Sequence, residues 1–120
     1  MSFDFKISKT TTKNVVVLNL LGSLVNEQDM LNLQNDLEDV FQIRMVKLMI
    51  DLSELSLINS SGLNLLIKIF TKIRNNGGDV AFVKGLPQVI KILELSKLNS
   101  IFTICANEKE ALNFLNAQEA

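Results

Sequence analysis

The chain contains no histidine, tyrosine or tryptophan, and these absences exclude several kinds of chemistry. Without histidine there is no imidazole base, no phosphohistidine and no histidine metal ligand. The single Cys105 cannot form a disulfide within the chain, and as a nucleophile it would lack the histidine that usually activates it. We therefore expect Cys105 to be a buried apolar thiol, and the protein not to be an enzyme.

The sequence also lacks an excess of either charge and a long apolar run. The 12 basic and 13 acidic residues give a net charge of -1, which offers no bulk attraction for nucleic acid or for an anionic membrane. No apolar segment approaches the roughly 18 residues of a membrane span, and the first residues do not resemble a secretory signal. We expect a cytoplasmic protein that neither inserts into a membrane nor binds nucleic acid directly.

The usual phosphate-binding and hydrolase motifs GxGxxG, GxxxxGK[ST] and GxSxG are absent too, and we expect no cofactor. Four carboxylates are expected near the edge of the sheet where α/β proteins bind ligands, namely Glu27, Asp29, Asp51 and Glu54. The first two also suit the first turn of a helix, and Asp51 suits the end of a strand. No fixed ligand spacing supports magnesium there, so we predict no metal site.

What is present is typical of one globular domain spanning residues 1–120, with 48% hydrophobic residues. Apolar alternation and apolar runs predict strands at about 3–8, 15–21, 46–50, 80–83 and 101–104. Helical spacing predicts helices that begin near 27, 60, 87 and 108, the first of them capped by Asn26. The order β-β-α-β-α-β-α-β-α predicts an α/β fold, in which a mixed five-stranded sheet carries four helices mainly on one face.

The helix that begins at Ser60 shows an apolar stripe and an opposite polar strip. The stripe predicts burial of Leu63, Leu66, Ile67, Phe70 and Ile73. Leu65 falls outside this stripe, together with Ser61 and Lys68, and is therefore predicted to be exposed. Lys68 and Lys72 alone fit an ordinary solvated face. With an exposed leucine beside them, a contact surface and a solvated face are about equally favoured.

Ser60 and Ser61 stand where a helix has unpaired backbone N–H groups. Serine is a common helix cap, and a cap needs no further function. An exposed hydroxyl at this place can also be phosphorylated, because the helix dipole and the free N–H groups tolerate an added anion. The residues alone leave both interpretations open.

The pattern Ile50-Asp51-Leu52-Ser53-x-Leu55-x-x-Ile58-Asn59-Ser60-Ser61-Gly62-Leu63 resembles the STAS domain family, specifically the bacterial anti-sigma factor antagonists. Gly22-Ser23-Leu24 and the order of elements extend the resemblance over essentially the whole chain. It implies a STAS-like fold and a role in bacterial signalling and transcription regulation by partner switching. The unphosphorylated form would bind a GHKL-type anti-sigma factor, commonly also a serine kinase, and release a sigma factor. A PP2C-type phosphatase would remove the phosphate.

The resemblance also implies roles for individual residues. Ser60 matches the phosphoacceptor of the family. The partner-binding residues that we expect around it are Asn26, Asn59, Ser61, Gly62, Leu65 and Lys68. Two positions depart from the pattern: Asn59 replaces the usual acid before the phosphoacceptor, and Val25 stands where the family often has Asp. They favour an alternative, a STAS binding or scaffold subunit of a lipid-transport ATPase or signalling assembly that is not phosphorylated.

Overall fold

The structure is a computed structural model that describes residues 2–9 and 15–117. Its elements follow the predicted order, with a short 3-10 helix at Leu98–Ser100 that the sequence pattern did not predict. The strands and helices are β1 (Phe3–Lys9), β2 (Val15–Leu24), α1 (Glu27–Phe41), β3 (Lys47–Ile58), α2 (Ser60–Asn75), β4 (Asp79–Val83), α3 (Pro87–Leu95), β5 (Thr103–Cys105) and α4 (Glu108–Ala117).

The strands form one five-stranded sheet in the order β1-β2-β3-β4-β5. The pairing of β1 with β2 is antiparallel and the other pairings are parallel, which confirms the mixed sheet and the edge position of β1. The predicted turn between the first two strands, residues 10–14, lies outside the described residues. The last strand begins at Thr103, two positions later than predicted, because Ile101 and Phe102 form the turn that closes the 3-10 helix, with both N–H groups bonded to the Leu98 carbonyl oxygen.

Alternation along the buried strands places neighbouring side chains on opposite faces of the sheet. Leu48 and Ile50 belong to the larger core, which α1, α2 and α3 cover. Met49 lies between them and points into a smaller core that α4 covers with Ala111 and Leu115. Three helices therefore lie on one face and one on the other, as the expectation of helices mainly on one face required.

Strand β3 is longer than the sequence pattern predicted, and Asp51 does not mark its end. The strand continues to Ile58, and Asp51 is only 6% exposed. Its carboxylate accepts hydrogen bonds from Asn19 Nδ2 at 3.2 Å and from the Ser53 N–H at 2.8 Å, so burial leaves it satisfied. Because β4 ends at Val83, opposite Asp51, β2 and β3 project beyond it.

Within the described ranges 2–9 and 15–117, the structure has no helix long and apolar enough to cross a membrane.

Candidate functional site

The helices α1 and α2 begin side by side at the carboxyl ends of β2 and β3. Leu24, the last residue of β2, is paired with Ile58, the last residue of β3. The next residues along each strand therefore meet at the same edge of the sheet, where parallel α/β folds usually bind ligands. We call this edge the rim and define it as Val25, Asn26, Asn59, Ser60 and Ser61.

Asn59 is the N-cap of α2 and also binds the neighbouring loop. Its Oδ1 accepts from the Gly62 N–H at 2.9 Å, which satisfies one of the free donors in the first turn. Its Nδ2 donates to the Val25 carbonyl oxygen at 3.1 Å, and its backbone N–H donates to the Leu24 carbonyl oxygen at 3.4 Å. The start of α2 is thus bonded to the end of β2 and to the loop that follows.

Asn26 caps α1, as predicted from the sequence. Its Oδ1 accepts from the N–H groups of Gln28 at 2.7 Å and Asp29 at 3.3 Å. The first turn of α1 also contains the acids Glu27 and Asp29, which compensate the positive end of its helix dipole. The first turn of α2 contains no acid, so an added anion there would meet a favourable helix terminus.

Ser60 and Ser61 are exposed in the first turn of α2. The capping role that local preference assigned to these hydroxyls belongs to Asn59 instead. The reason is that the chain leaves β3 at Ile58, so that Asn59 has the extended backbone that an N-cap adopts. Its φ is -104°, close to the -112° of Asn26, the N-cap of α1. Both serine hydroxyls are consequently accessible from solvent.

Gly62 is the third residue of α2 and, unlike the two serines before it, is buried. A Cβ on Gly62 would lie 2.7 Å from the Leu24 carbonyl oxygen and 2.6 Å from Ile58 Cγ1. Both distances are shorter than side-chain contacts allow, and the carbonyl belongs to the backbone of β2. Gly62 therefore permits the close approach of α2 to β2, and its place below the surface gives it a packing role.

The outer face of α2 differs from the sequence prediction at two apolar residues. Leu65 is only 3% exposed and belongs to the larger core, so its predicted exposure was wrong. Ile67, predicted to be buried, is 37% exposed. The buried face is centred on Ile69 because α2 packs against α1 as well as against the sheet. Lys68 is exposed as predicted, and the apolar residue beside it is Ile67.

The four carboxylates do not gather at the rim. Asp51 is bonded within the sheet, Asp29 is half-buried in the first turn of α1, and Glu27 and Glu54 are exposed. Among the residues that the structure describes, no three acidic or cysteine side chains lie close enough together to hold a metal ion.

Cys105 lies in the edge strand β5 and is half-buried rather than fully buried as expected. Desolvation by burial, with a smaller contribution from the charge of Glu110, raises the pKa of its thiol. A raised pKa disfavours the thiolate, which is the nucleophilic form. Strand β4 separates Cys105 from β3 and from the rim.

Comparisons with known proteins give consistent matches over nearly the full length. A family model described as STAS domain matches residues 6–111. An anti-sigma F factor antagonist from Paenibacillus polymyxa is 30% identical over 113 residues, which cover 93% of this chain and 96% of the relative.

Solved structures share the fold. An anti-sigma factor antagonist from Mycobacterium paratuberculosis superposes with a TM-score of 0.81 at 21% identity, over 96% of this chain and 95% of the other. The Bacillus cell fate determinant SpoIIAA, in a structure of its phosphorylated form, superposes with a TM-score of 0.70 at 21% identity, over 92% of this chain and 97% of the other. The five-stranded sheet and four helices described above match this architecture.

Proposed function

The chain belongs to the STAS domain family, and on this basis we propose that it is an anti-sigma factor antagonist that acts in the cytoplasm by binding, without catalysis. The relative from Paenibacillus polymyxa supports the proposal, because its name describes antagonism of an anti-sigma factor and the match covers 96% of its length. The unphosphorylated form of this chain would bind a GHKL-type anti-sigma factor and so release a sigma factor.

The observation that carries the proposal is the exposed Ser60 at the first position of α2, directly after an asparagine that performs the capping. Because Asn59 supplies the cap, a modified Ser60 would not remove it. A phosphate there would add roughly two negative charges next to the positive end of the helix, which tolerates them. The helix would stay folded, and the added charge and bulk would act on a docked partner.

The partner surface that we propose extends from the rim along the outer face of α2. Asn26, Asn59 and Ser61 would contribute polar contacts at the rim, with Lys68 about two turns further along α2. Ile67 supplies the exposed apolar contact in place of Leu65. The anti-sigma factor would also be the serine kinase that modifies Ser60, and a PP2C-type phosphatase would reverse the modification.

Phosphorylation is tested by incubating the protein with ATP and the GHKL-type anti-sigma kinase of the same organism, followed by intact mass measurement. The wild type should gain the mass of one phosphate, and Ser60→Ala should gain none. Ser61→Ala is the matched control: it removes the neighbouring hydroxyl of the same turn and keeps Ser60, so at the end of the reaction it should also carry one phosphate, even where the lost Ser61 contact slows the rate. An unmodified wild type, or modification that survives in Ser60→Ala, would overturn the switch.

A second candidate function is a STAS scaffold subunit that is not phosphorylated. It is favoured by the neutral surroundings of Ser60, since the preceding residue is Asn59 and the adjacent loop begins with Val25, which is 40% exposed. The two candidates differ in a pull-down from the native organism. Recovery of a permease and an ATPase, with no phosphate on Ser60, would support the scaffold and contradict the switch.

A further inference from the structure

We propose that Asn59 is a positioning residue that couples the first turns of α1 and α2, so that a change of charge at Ser60 is transmitted to the cap of α1. The two side-chain hydrogen bonds of Asn59, to Gly62 and to Val25, form what we call the bridge. The bridge itself is independent of the proposed function, whereas its use in signalling rests on the proposed switch at Ser60.

The bridge depends on both ends of one side-chain amide. Oδ1 of Asn59 accepts from Gly62 in its own helix, and Nδ2 donates to the Val25 carbonyl oxygen, 34 residues away in sequence. The orientation of the amide follows from its partners, because the reverse orientation would place donor against donor and acceptor against acceptor. A carboxylate at position 59 would retain the cap and lose the donor.

The segments around Leu24 and Asn59 also approach each other closely through backbone atoms. The Asn59 N–H reaches the Leu24 carbonyl oxygen at 3.4 Å, and that same oxygen lies within 2.7 Å of where a Gly62 Cβ would stand. Ser56 Oγ donates to the Gly22 carbonyl oxygen at 3.0 Å, and each of these residues lies two positions before the end of its strand. The side chain of Asn59, the N-cap of α2, bonds directly to the Val25 carbonyl oxygen in the loop before α1.

The loop that Asn59 holds leads directly into the cap of α1. Val25 is followed by Asn26, whose Oδ1 binds the N–H groups of Gln28 and Asp29. Loosening the Val25 carbonyl would let the Asn26 backbone shift and weaken these bonds. A change at the start of α2 is thereby carried to the start of α1 through Asn59, Val25 and Asn26.

The bridge is tested by amide hydrogen exchange, followed by NMR, in the wild type and in Asn59→Asp. Aspartate is nearly isosteric and a good helix cap, so the Gly62 amide should remain protected. Loss of the donor should speed exchange of the Gln28 and Asp29 amides several-fold, up to about tenfold, as expected for loss of one hydrogen bond. Unchanged exchange at Gln28 and Asp29 would overturn the proposal.

Two further variants separate the lost donor from the added charge. Asn64→Asp adds the same charge at an exposed position one turn along α2 and leaves Asn59 and both caps intact, so exchange at Gln28 and Asp29 should stay near that of the wild type. Asn59→Ser adds no charge, retains a cap oxygen and is too short to reach Val25, so it should reproduce the pattern of Asn59→Asp. An equal effect in Asn64→Asp would assign the change to charge and overturn the bridge.

Transmission is tested by introducing Ser60→Asp into the wild type and into Asn59→Asp. The added charge should alter exchange at Gln28 and Asp29 in the wild-type background and have a smaller effect where the bridge is already lost. This double-mutant cycle needs no kinase, so it decides the inference even where Ser60 proves not to be phosphorylated. Equal effects of Ser60→Asp in the two backgrounds would contradict transmission through Asn59.

Discussion

The side-chain amide of Asn76, just after α2, donates to the carbonyl oxygen of Phe41, the last residue of α1, at 2.9 Å. Its second N–H donates to the Ile43 carbonyl oxygen at 3.0 Å. The first bond satisfies a carbonyl group that the end of α1 leaves without a helical partner, and the second satisfies a carbonyl group of the turn that follows α1. At the end of the helices opposite to the rim, one asparagine thus joins α1 to α2, as Asn59 does at the rim.

We expect Asn76→Ala to lower the free energy of unfolding by about 1–3 kcal/mol, because two partly buried carbonyl groups lose their donors. Chemical denaturation followed by circular dichroism measures the change. Asn75→Ala is the matched control, since Asn75 is exposed in the last turn of α2 and should change stability by less than about 0.5 kcal/mol. Equal losses in the two variants would contradict the role assigned to Asn76.

Gly62→Ala should destabilise the protein although alanine is the better helix former. The added Cβ would lie 2.7 Å from the Leu24 carbonyl oxygen, and the backbone of β2 must shift to relieve the contact. Overpacking of this kind typically destabilises by about 1–3 kcal/mol. Thermal unfolding compares it with Ser61→Ala, a change to alanine at an exposed position of the same turn, which should leave the melting temperature nearly unchanged. A Gly62→Ala variant that is more stable than the wild type would contradict the close contact between α2 and β2.

Truncation of Leu65 should mainly lower stability, whereas truncation of Ile67 should mainly weaken binding. Leu65→Ala removes a side chain that is 3% exposed and should lower the free energy of unfolding by about 2–5 kcal/mol. Ile67→Ala removes one that is 37% exposed and should have a much smaller effect on stability, while weakening the binding of the anti-sigma factor. Denaturation curves and calorimetric titration with that partner measure the two effects, and an Ile67→Ala variant that binds like the wild type would remove Ile67 from the contact surface.

Much of the fold follows from local patterns in the sequence. The cap at Asn26 and the order of strands and helices were predictable because capping and apolar spacing act over a few residues. Asp51 misled the prediction of β3, since its burial depends on Asn19 in another strand. The orientation of α2 likewise depends on its contacts with α1, which the apolar spacing of α2 alone does not contain.

The candidate site was predictable only in part, for the same reason. The position of Ser60 at the start of a helix could be located from the strand, turn and helix pattern around it. The bond from Asn59 to Val25 could not, because it joins residues 34 positions apart. Local preference offered Ser60 and Ser61 as the cap of α2, and only the path of the chain out of β3 selects Asn59.

The pH dependence of Cys105 alkylation should reflect its raised pKa. Since only the thiolate reacts, the midpoint of the rate against pH should lie higher in the folded protein than in guanidinium chloride. Glu110→Gln removes the charge that contributes to the shift and should move the midpoint down, while its side-chain oxygen still accepts from the Ala106 N–H. Glu108→Gln, an exposed acid of the same helix, is the control, and an equal shift in this variant would contradict the role of Glu110.

Lys68→Ala should weaken binding of the proposed GHKL-type anti-sigma factor by roughly two- to fivefold, the usual effect of an exposed charge at the edge of an interface. Lys68 is exposed on the face of α2 that continues from the rim, so its ammonium is available to a partner. The loss should shrink as salt is raised, because screening weakens exposed charge pairs. Lys91→Ala on α3 is the matched control, an exposed lysine outside the proposed surface. Calorimetric titrations at two salt concentrations distinguish the outcomes, and equal losses in the two variants would reflect net charge alone and remove Lys68 from the contact surface.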